Sequence, residues 1–218
     1  DPQPTLPTTL YALKQLRQIA PVLLMTATFS EPMLKQLADW LDAEYECLSR
    51  DEAIAIDTVN PDGTTRSPRQ RTWVAGEGQL NAQAVLQQHQ HQHRSIALCN
   101  TVDRAQTLFD DLDHEIKVKK LKIKIFLIHS RFLKNNRAAT EKQVIELFGK
   151  DADREQDSYI LVATQAIEVG VDISSRVLHT ESAPASSLIQ RAGRCARYAS
   201  EQGRVFVYPV EERLPYTH

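Results

Sequence analysis

Apolar runs rich in β-branched residues alternate along this chain with segments whose apolar residues recur every three or four positions. The first pattern predicts strands, the second amphipathic helices, and their alternation predicts an α/β fold: a parallel sheet with helices on both faces. Strands are expected at Val22 to Ala27, Arg71 to Ala75, Ser95 to Asn100, Ile123 to His129, Tyr159 to Ala163, Arg176 to His179 and Arg204 to Tyr208. Most of these runs are continuously apolar, as strands buried on both faces are. Helices are expected at Thr8 to Ile19, Ser30 to Leu41, Leu80 to His93, Thr101 to Leu112, Arg137 to Phe148 and Ser186 to Ala192. Several open on a Ser or Thr that can cap the amides of the first turn.

Between about Cys47 and Gln70 the periodicity dissolves into a polar stretch broken by two prolines and a glycine, which predicts a domain boundary. Residues 1–49 supply only a helix, a strand and a helix, too little for a core of their own. They are expected to be the carboxyl-terminal piece of a preceding domain, with 50–70 a linker and 71–218 a six-stranded domain able to fold alone. The absence of a starting Met points to a piece of a longer protein.

Composition adjusts this picture only a little. The 218 residues are 42% apolar and 25% charged, in the range of a soluble globular chain, and the formal net charge of -2 excludes a global basic field for coating nucleic acid. Any grip on DNA or RNA must come from local patches. Cys47, Cys99 and Cys195 lie far apart, without a CxxC or a Cys/His spacing, so reduced thiols are expected in place of disulfides or a zinc site. No apolar run approaches a membrane span, and the first residues do not resemble a signal peptide. A cytoplasmic, membrane-free protein is the expectation.

Candidate chemistry collects where strands end. In an open parallel sheet, ligands bind at the carboxyl ends of the strands, and four expected strands run there into polar turns: TAT at 26–28, NTVDRA at 100–105, HSRF at 129–132 and ATQAIEVGVDI at 163–173. Four such turns on one edge suit a polymer track and a phosphate ligand, with helix capping the competing explanation for each. The strongest signal is QRAGRCAR at 190–197. On a continuing helix Gln190, Arg194 and Arg197 would share a face, and Asp and Glu are absent from 182 to 200. Guanidiniums aimed one way without carboxylates suit a polyphosphate, and an arginine finger is worth about a thousand- to hundred-thousand-fold in rate.

Lys117 to Arg137 carries eight Lys or Arg and no Asp or Glu. Phosphate contact there would be salt-sensitive; lysines guarding an exposed hairpin edge are the competing reading. His89, His91 and His93 are spaced like metal ligands but lack carboxylate or thiol neighbours, so a solvated helix end is expected and no metal is assigned. No GxxxxGK[ST] phosphate loop occurs: GKDADRE at 149–155 lacks its glycine and hydroxyl, and DEAI at 51–54 follows no apolar strand.

MTAT at 25–28, CNT at 99–101, ATQAIEVGVDI at 163–173 and QRAGRCAR at 190–197 resemble motifs III to VI of superfamily 2 helicases, in order. More narrowly, CNTVDRAQTLFDDL, IHSRFLKNNR, LVATQAIEVGVDIS and SSLIQRAGRCAR resemble the CRISPR-associated helicase of type I systems. The resemblance implies a RecA-like parallel sheet for 71–218, the tail of a first RecA-like domain for 1–49, and ATP with Mg2+ held mainly by that first domain. It implies Arg194 and Arg197 as fingers on ATP, Arg191 and Gln190 linking to the other domain's acidic motif, and Gly170 and Asp172 by the ribose. Asn100, Thr101, Ser130, Arg131, Thr164 and Gln165 would hold single-stranded DNA, and Thr26 and Thr28 would couple hydrolysis to movement. The implied partner is an RNA-guided surveillance complex. The family's His-Asp nuclease dipeptide does not occur. Another DNA or RNA helicase of the superfamily, or an ATP-independent nucleic-acid clamp, is the alternative that the residues leave open.

Overall fold

A computed structural model describes residues 5–26, 29–59, 62–65, 67–89, 93–131, 134–152, 157–168, 170–198, 200–211 and 215–216. The chain forms two units, Asp1–Ala55 and Ile56–His218.

The larger unit is built on strands β1 (Gln70–Ala75), β2 (Arg94–Leu98), β3 (Ile123–Ile128), β4 (Ser158–Ala163), β5 (Val177–Glu181) and β6 (Gln202–Tyr208), matching the six strands expected from 71 onward. Their order is β1-β6-β5-β2-β4-β3, and every pairing is parallel. All six carboxyl ends therefore share one edge. β2, with Ile96 opposite Leu161 on β4 and Leu178 on β5, lies at the centre.

Alternation along the strands feeds two cores. Ala97, Ile160, Val162, Val177 and Phe206 pack under helices α4 (Ala82–His89) and α5 (Val102–Val118), through Val85, Leu86, Leu108 and Leu112. Ile96, Leu98, Leu161, Leu178 and Val205 pack under α6 (Lys134–Phe148) and α7 (Ala185–Ala192), through Val144, Phe148 and Ala192. Both faces of β2 and β5 are thus covered and every residue of the two strands is buried, the polar ones at the strand ends and in β5 included. Buried Cys99 and Cys195 sit in these cores as small apolar groups, the Cys195 thiol pushed up to about 12 by burial. Gly203 is required here, because a Cβ would lie 2.4 Å from the Cys195 sulfur.

The lysine-rich segment does not form the hairpin of the competing reading. It runs from the end of α5 into β3, a parallel strand at the sheet edge. Lys117 and Lys119 are paired at i,i+4 spacing with Asp113 and Glu115, outside the 117–137 window on which the charge count rested.

In the smaller unit, α1 (Thr5–Leu16) and α2 (Glu31–Leu41) associate through Arg17, which pairs with Asp42, and through Lys14, 5.1 Å from the Trp40 ring centre. Asp42, at φ 52, ends α2 in the left-handed conformation. The strand expected at Val22 to Ala27 is not formed: 21–26 is irregular, with Leu23 and Met25 more than four-fifths exposed, and Ala27 and Thr28 lie outside the described residues. A strand needs a neighbour for its N–H and C=O groups, and the described residues of this unit include no other strand.

Residues 50–58, read from sequence as the start of a linker without helical periodicity, form α3 (Arg50–Thr58). Ser49 and Glu52 make a capping box: Ser49 N–H donates to Glu52 Oε2 at 2.8 Å, and Glu52 N–H donates to Ser49 Oγ at 3.3 Å.

Candidate functional site

Three of the four polar turns do meet at one edge. NT follows β2, HS follows β3 and TQ follows β4, on three adjacent strands. The fourth, at Thr26, belongs to the smaller unit, where Thr26 is exposed and no strand feeds it; Thr28 lies outside the described residues.

Beneath the edge lies a buried polar network. Glu181, at the end of β5 and 1% exposed, accepts the Asn100 backbone N–H at 2.6 Å and Arg104 Nε at 2.9 Å. Arg191, fully buried at the end of α7, donates from Nε to Glu168 Oε1 at 2.8 Å. Its Nη1 donates to Asn100 Oδ1 at 3.0 Å and Thr180 Oγ1 at 2.9 Å, and its Nη2 to the Tyr216 hydroxyl at 2.9 Å. Gln165 Nε2 donates to the Asn100 carbonyl at 2.8 Å and to the Tyr216 hydroxyl at 3.3 Å. Buried charges persist only when paired and hydrogen-bonded, and each of these is.

This network revises several expected roles. The Asn100 side chain points inward, its amide donating to the Ser182 carbonyl at 2.8 Å, so it orients the turn and leaves no side-chain group directed at a strand. Thr101 caps α5 by accepting the Arg104 N–H, the competing explanation weighed for such turns. Thr164 is buried. Arg191 spends its guanidinium inside this unit, whereas Gln190 is half-buried and without a side-chain hydrogen bond among the described residues. Ser130 and Arg131 stand exposed at the rim. Arg131 donates to Asp103 Oδ1 at 2.7 Å, while its backbone N–H is held by His129 Nδ1 at 3.2 Å. Burial, with Arg131 nearby, keeps His129 below its ordinary value, suiting a ring nitrogen that accepts.

QRAGRCAR does not continue as one helix. α7 ends at Ala192, Gly193 caps it, and the Arg194 and Cys195 N–H groups bond back to Arg191 and Ala192 in tight turns; Ala196 has φ 44. Gln190, Arg194 and Arg197 therefore share no helix face. Instead the three arginines step down from the edge. Arg194 donates to the Ile167 carbonyl at 3.0 Å and the Glu168 carbonyl at 2.7 Å, and burial, then the charge of Arg197, lowers its pKa. Arg197, with 35% of its side chain exposed, pairs with Asp172. Its backbone is pinned by Ser174 Oγ at 3.0 Å, Ser174 in turn donating to Glu201 at 2.6 Å. Gly170, at φ +83, gives the intervening loop a left-handed turn that other residues resist.

Glu168, Thr180, Glu181, Arg104 and Tyr216 were missed from the sequence. Glu168, inside ATQAIEVGVDI, and Arg104, inside NTVDRA, carried a signal; the others are joined by the fold alone. His89 also departs from expectation. It is buried, its Nδ1 2.7 Å from Ser95 Oγ and its Nε2 2.7 Å from Ser158 Oγ, and desolvation lowers it to about 4, so it is a neutral core residue. His93 is exposed and His91 lies outside the described residues. Among the described residues no group of three His, Cys, Asp or Glu side chains is placed to hold a metal, and no helix is long and apolar enough to cross a membrane.

An all-parallel sheet covered on both faces, with polar turns along its carboxyl edge, is an open α/β domain whose ligand edge lies at the strand ends, and its likeness to Cas3 structures makes it a RecA-like domain of a superfamily 2 helicase. The family model for the CRISPR-associated nuclease/helicase Cas3, C-terminal, matches residues 91–200, half of the chain, and the chain belongs to that family. The CRISPR-associated endonuclease/helicase Cas3 of Escherichia coli K12 is 39% identical over 101 residues, covering 46% of this chain and 11% of that protein. The structure of T. fusca Cas3 superposes with a TM-score of 0.69 at 25% identity, over 96% of this chain and 29% of that one. T. fusca Cas3 with AMPPNP superposes with a TM-score of 0.56 at 29% identity, over 70% and 20%. The chain thus spans between about a tenth and three tenths of these relatives.

Proposed function

We propose that this chain is the arginine-finger half of an ATP-dependent helicase that unwinds target DNA in type I CRISPR defence. Residues 71–218 are the second RecA-like domain, 1–49 the closing piece of the first, and 50–70 the connection between them. ATP is the substrate, bound against this domain by Arg197 on a turn that Arg194 seats, with Gly170 and Asp172 toward the ribose. Mg2+ would arrive with the phosphates and take its protein ligands elsewhere in the whole protein. Single-stranded DNA runs over Ser130, Arg131, Thr101 and Gln165, with Thr26 and Thr28 linking hydrolysis to movement. The partner of the complete machine is an RNA-guided surveillance complex, and the compartment is the cytoplasm.

The observation that carries this reading is the Arg197 turn. Its guanidinium is half-exposed, held by an exposed carboxylate that a nucleotide can replace, on a backbone pinned by Ser174 and Glu201. A pre-positioned guanidinium neutralises charge developing on the transferred phosphoryl oxygens without reorganising. Arg194 is less available, because two backbone carbonyls hold it; it serves to seat the finger turn on the Ile167–Glu168 segment. In the full-length protein, Arg197→Ala is expected to lower ATP turnover about a thousandfold while ATP binding persists. Turnover retained at the wild-type rate would refute the finger role.

A further inference from the structure

Tyr216 lies beyond the residues that the family model matches and after the last strand, yet its hydroxyl reaches the centre of the edge network. The phenol oxygen accepts from Arg191 Nη2 at 2.9 Å and from Gln165 Nε2 at 3.3 Å. These groups come from opposite sides of the proposed machine: Gln165 from the strand-holding turn after β4, Arg191 from the helix that leads into the finger turn. Among the described residues, one other joins the same two side chains. Asn100 accepts from Gln165 on its carbonyl and from Arg191 on its side-chain oxygen. Both amide protons of Gln165 are thereby directed at acceptors, one of them Tyr216.

We propose that Tyr216 is a positioning residue that couples the strand side to the nucleotide side, its hydroxyl holding the Gln165 amide in register with the Arg191 guanidinium. The path runs from Gln165 through the Tyr216 hydroxyl to Arg191, from Arg191 to the Glu168 carboxylate, and from the Glu168 carbonyl to Arg194, two residues beyond the end of α7. Each step is a hydrogen bond between groups that are buried or half-buried, where such bonds are directional and little screened by water. Loss of the hydroxyl removes one of the two bridges and leaves the ring in place. The strand turn and the finger turn then settle more independently, and the affinity of one ligand depends less on the other.

This inference rests on the helicase reading, and the test separates the two. In the full-length protein, single-stranded DNA affinity is measured with and without AMPPNP, for wild type and for Tyr216→Phe. A wild-type affinity that ignores AMPPNP overturns the helicase reading itself. If wild type responds, Tyr216→Phe is expected to shrink the ratio of the two affinities about fivefold or more, a change on the scale of allosteric couplings. An unchanged ratio overturns the positioning role, as does a uniform loss of DNA affinity with the ratio preserved. In a Gln165→Ala background the same substitution is expected to have no further effect on the ratio; an additive effect would overturn the shared path through Gln165.

Discussion

The two ends of the sheet bury polar groups in opposite ways. At the amino end, neutral His89 sits between the Ser95 and Ser158 hydroxyls, and Arg94 closes on the His93, Leu147 and Asp157 carbonyls while lying 4.3 Å from the Tyr159 ring centre. Those bonds satisfy local ends of strands and helices. At the carboxyl end, charges from four elements converge: Glu181 from β5, Arg104 from α5, Arg191 from α7 and Glu168 from the segment after β4. There the burial is rimmed by exposed or half-exposed groups, Ser130, Arg131 and Gln165, while Arg197 lies beyond the amino end of β5, against Ser174. Burial of polar groups therefore does not by itself mark the working end. What distinguishes it is a buried, hydrogen-bonded charge network that fixes the geometry of the more exposed groups around it.

The sharpest way to break this comparison is Arg191→Ala. It strands Glu168 and the Asn100 and Thr180 oxygens in the interior, and an uncompensated buried charge costs about 3–5 kcal/mol. Urea unfolding is expected to show that loss; a change under about 1 kcal/mol would mean that water reaches the network and the edge is not preorganised.

The amino end should instead yield to acid. His89 is held at about 4 against an ordinary 6.5, so below 6.5 the unfolded chain binds a proton that the folded chain refuses. The stability it contributes is complete above about pH 6.5 and lost progressively as pH falls toward 4, amounting to about 3 kcal/mol for one such group. His179, lowered to about 3 by burial, acts in the same direction. Unfolding free energy measured from pH 7 to 4.5 is expected to fall along this slope, and to fall less in His89→Gln; equal slopes would remove His89 from the account.

The smallest effect belongs to the rim. Arg131 and Asp103 are both mostly exposed, so Arg131→Ala is expected to change unfolding by less than about 1 kcal/mol. The salt dependence of single-stranded DNA binding should flatten by about 0.7 in log–log slope, one phosphate contact. An unchanged slope would take Arg131 off the strand path.

Most of the fold was legible because parallel strands buried on both faces are mainly apolar: β4 carries YILVA and β2 IAL. The strand expected at Val22 to Ala27 carried the same signal and did not form among residues 22–26, since apolar character cannot supply the hydrogen-bond partners of a strand. Helix α3 was hidden for the opposite reason. Its amphipathic signal is weak, and what starts it is the Ser49–Glu52 box rather than a buried face.

The candidate site divides along the same line. Sequence by itself determined which short segments hold the chemistry, because hydroxyls, amides and arginines at strand ends are written in residue type and spacing. It also determined that all strand ends would share an edge, since alternating helices and strands force a parallel sheet. Only the tertiary structure decided which of those groups face outward. Asn100 and Arg191 turn inward and Arg197 outward because Glu181, Thr180, Glu168 and Tyr216, distant in sequence, arrive to satisfy the first two and leave the third on a turn beyond the helix end.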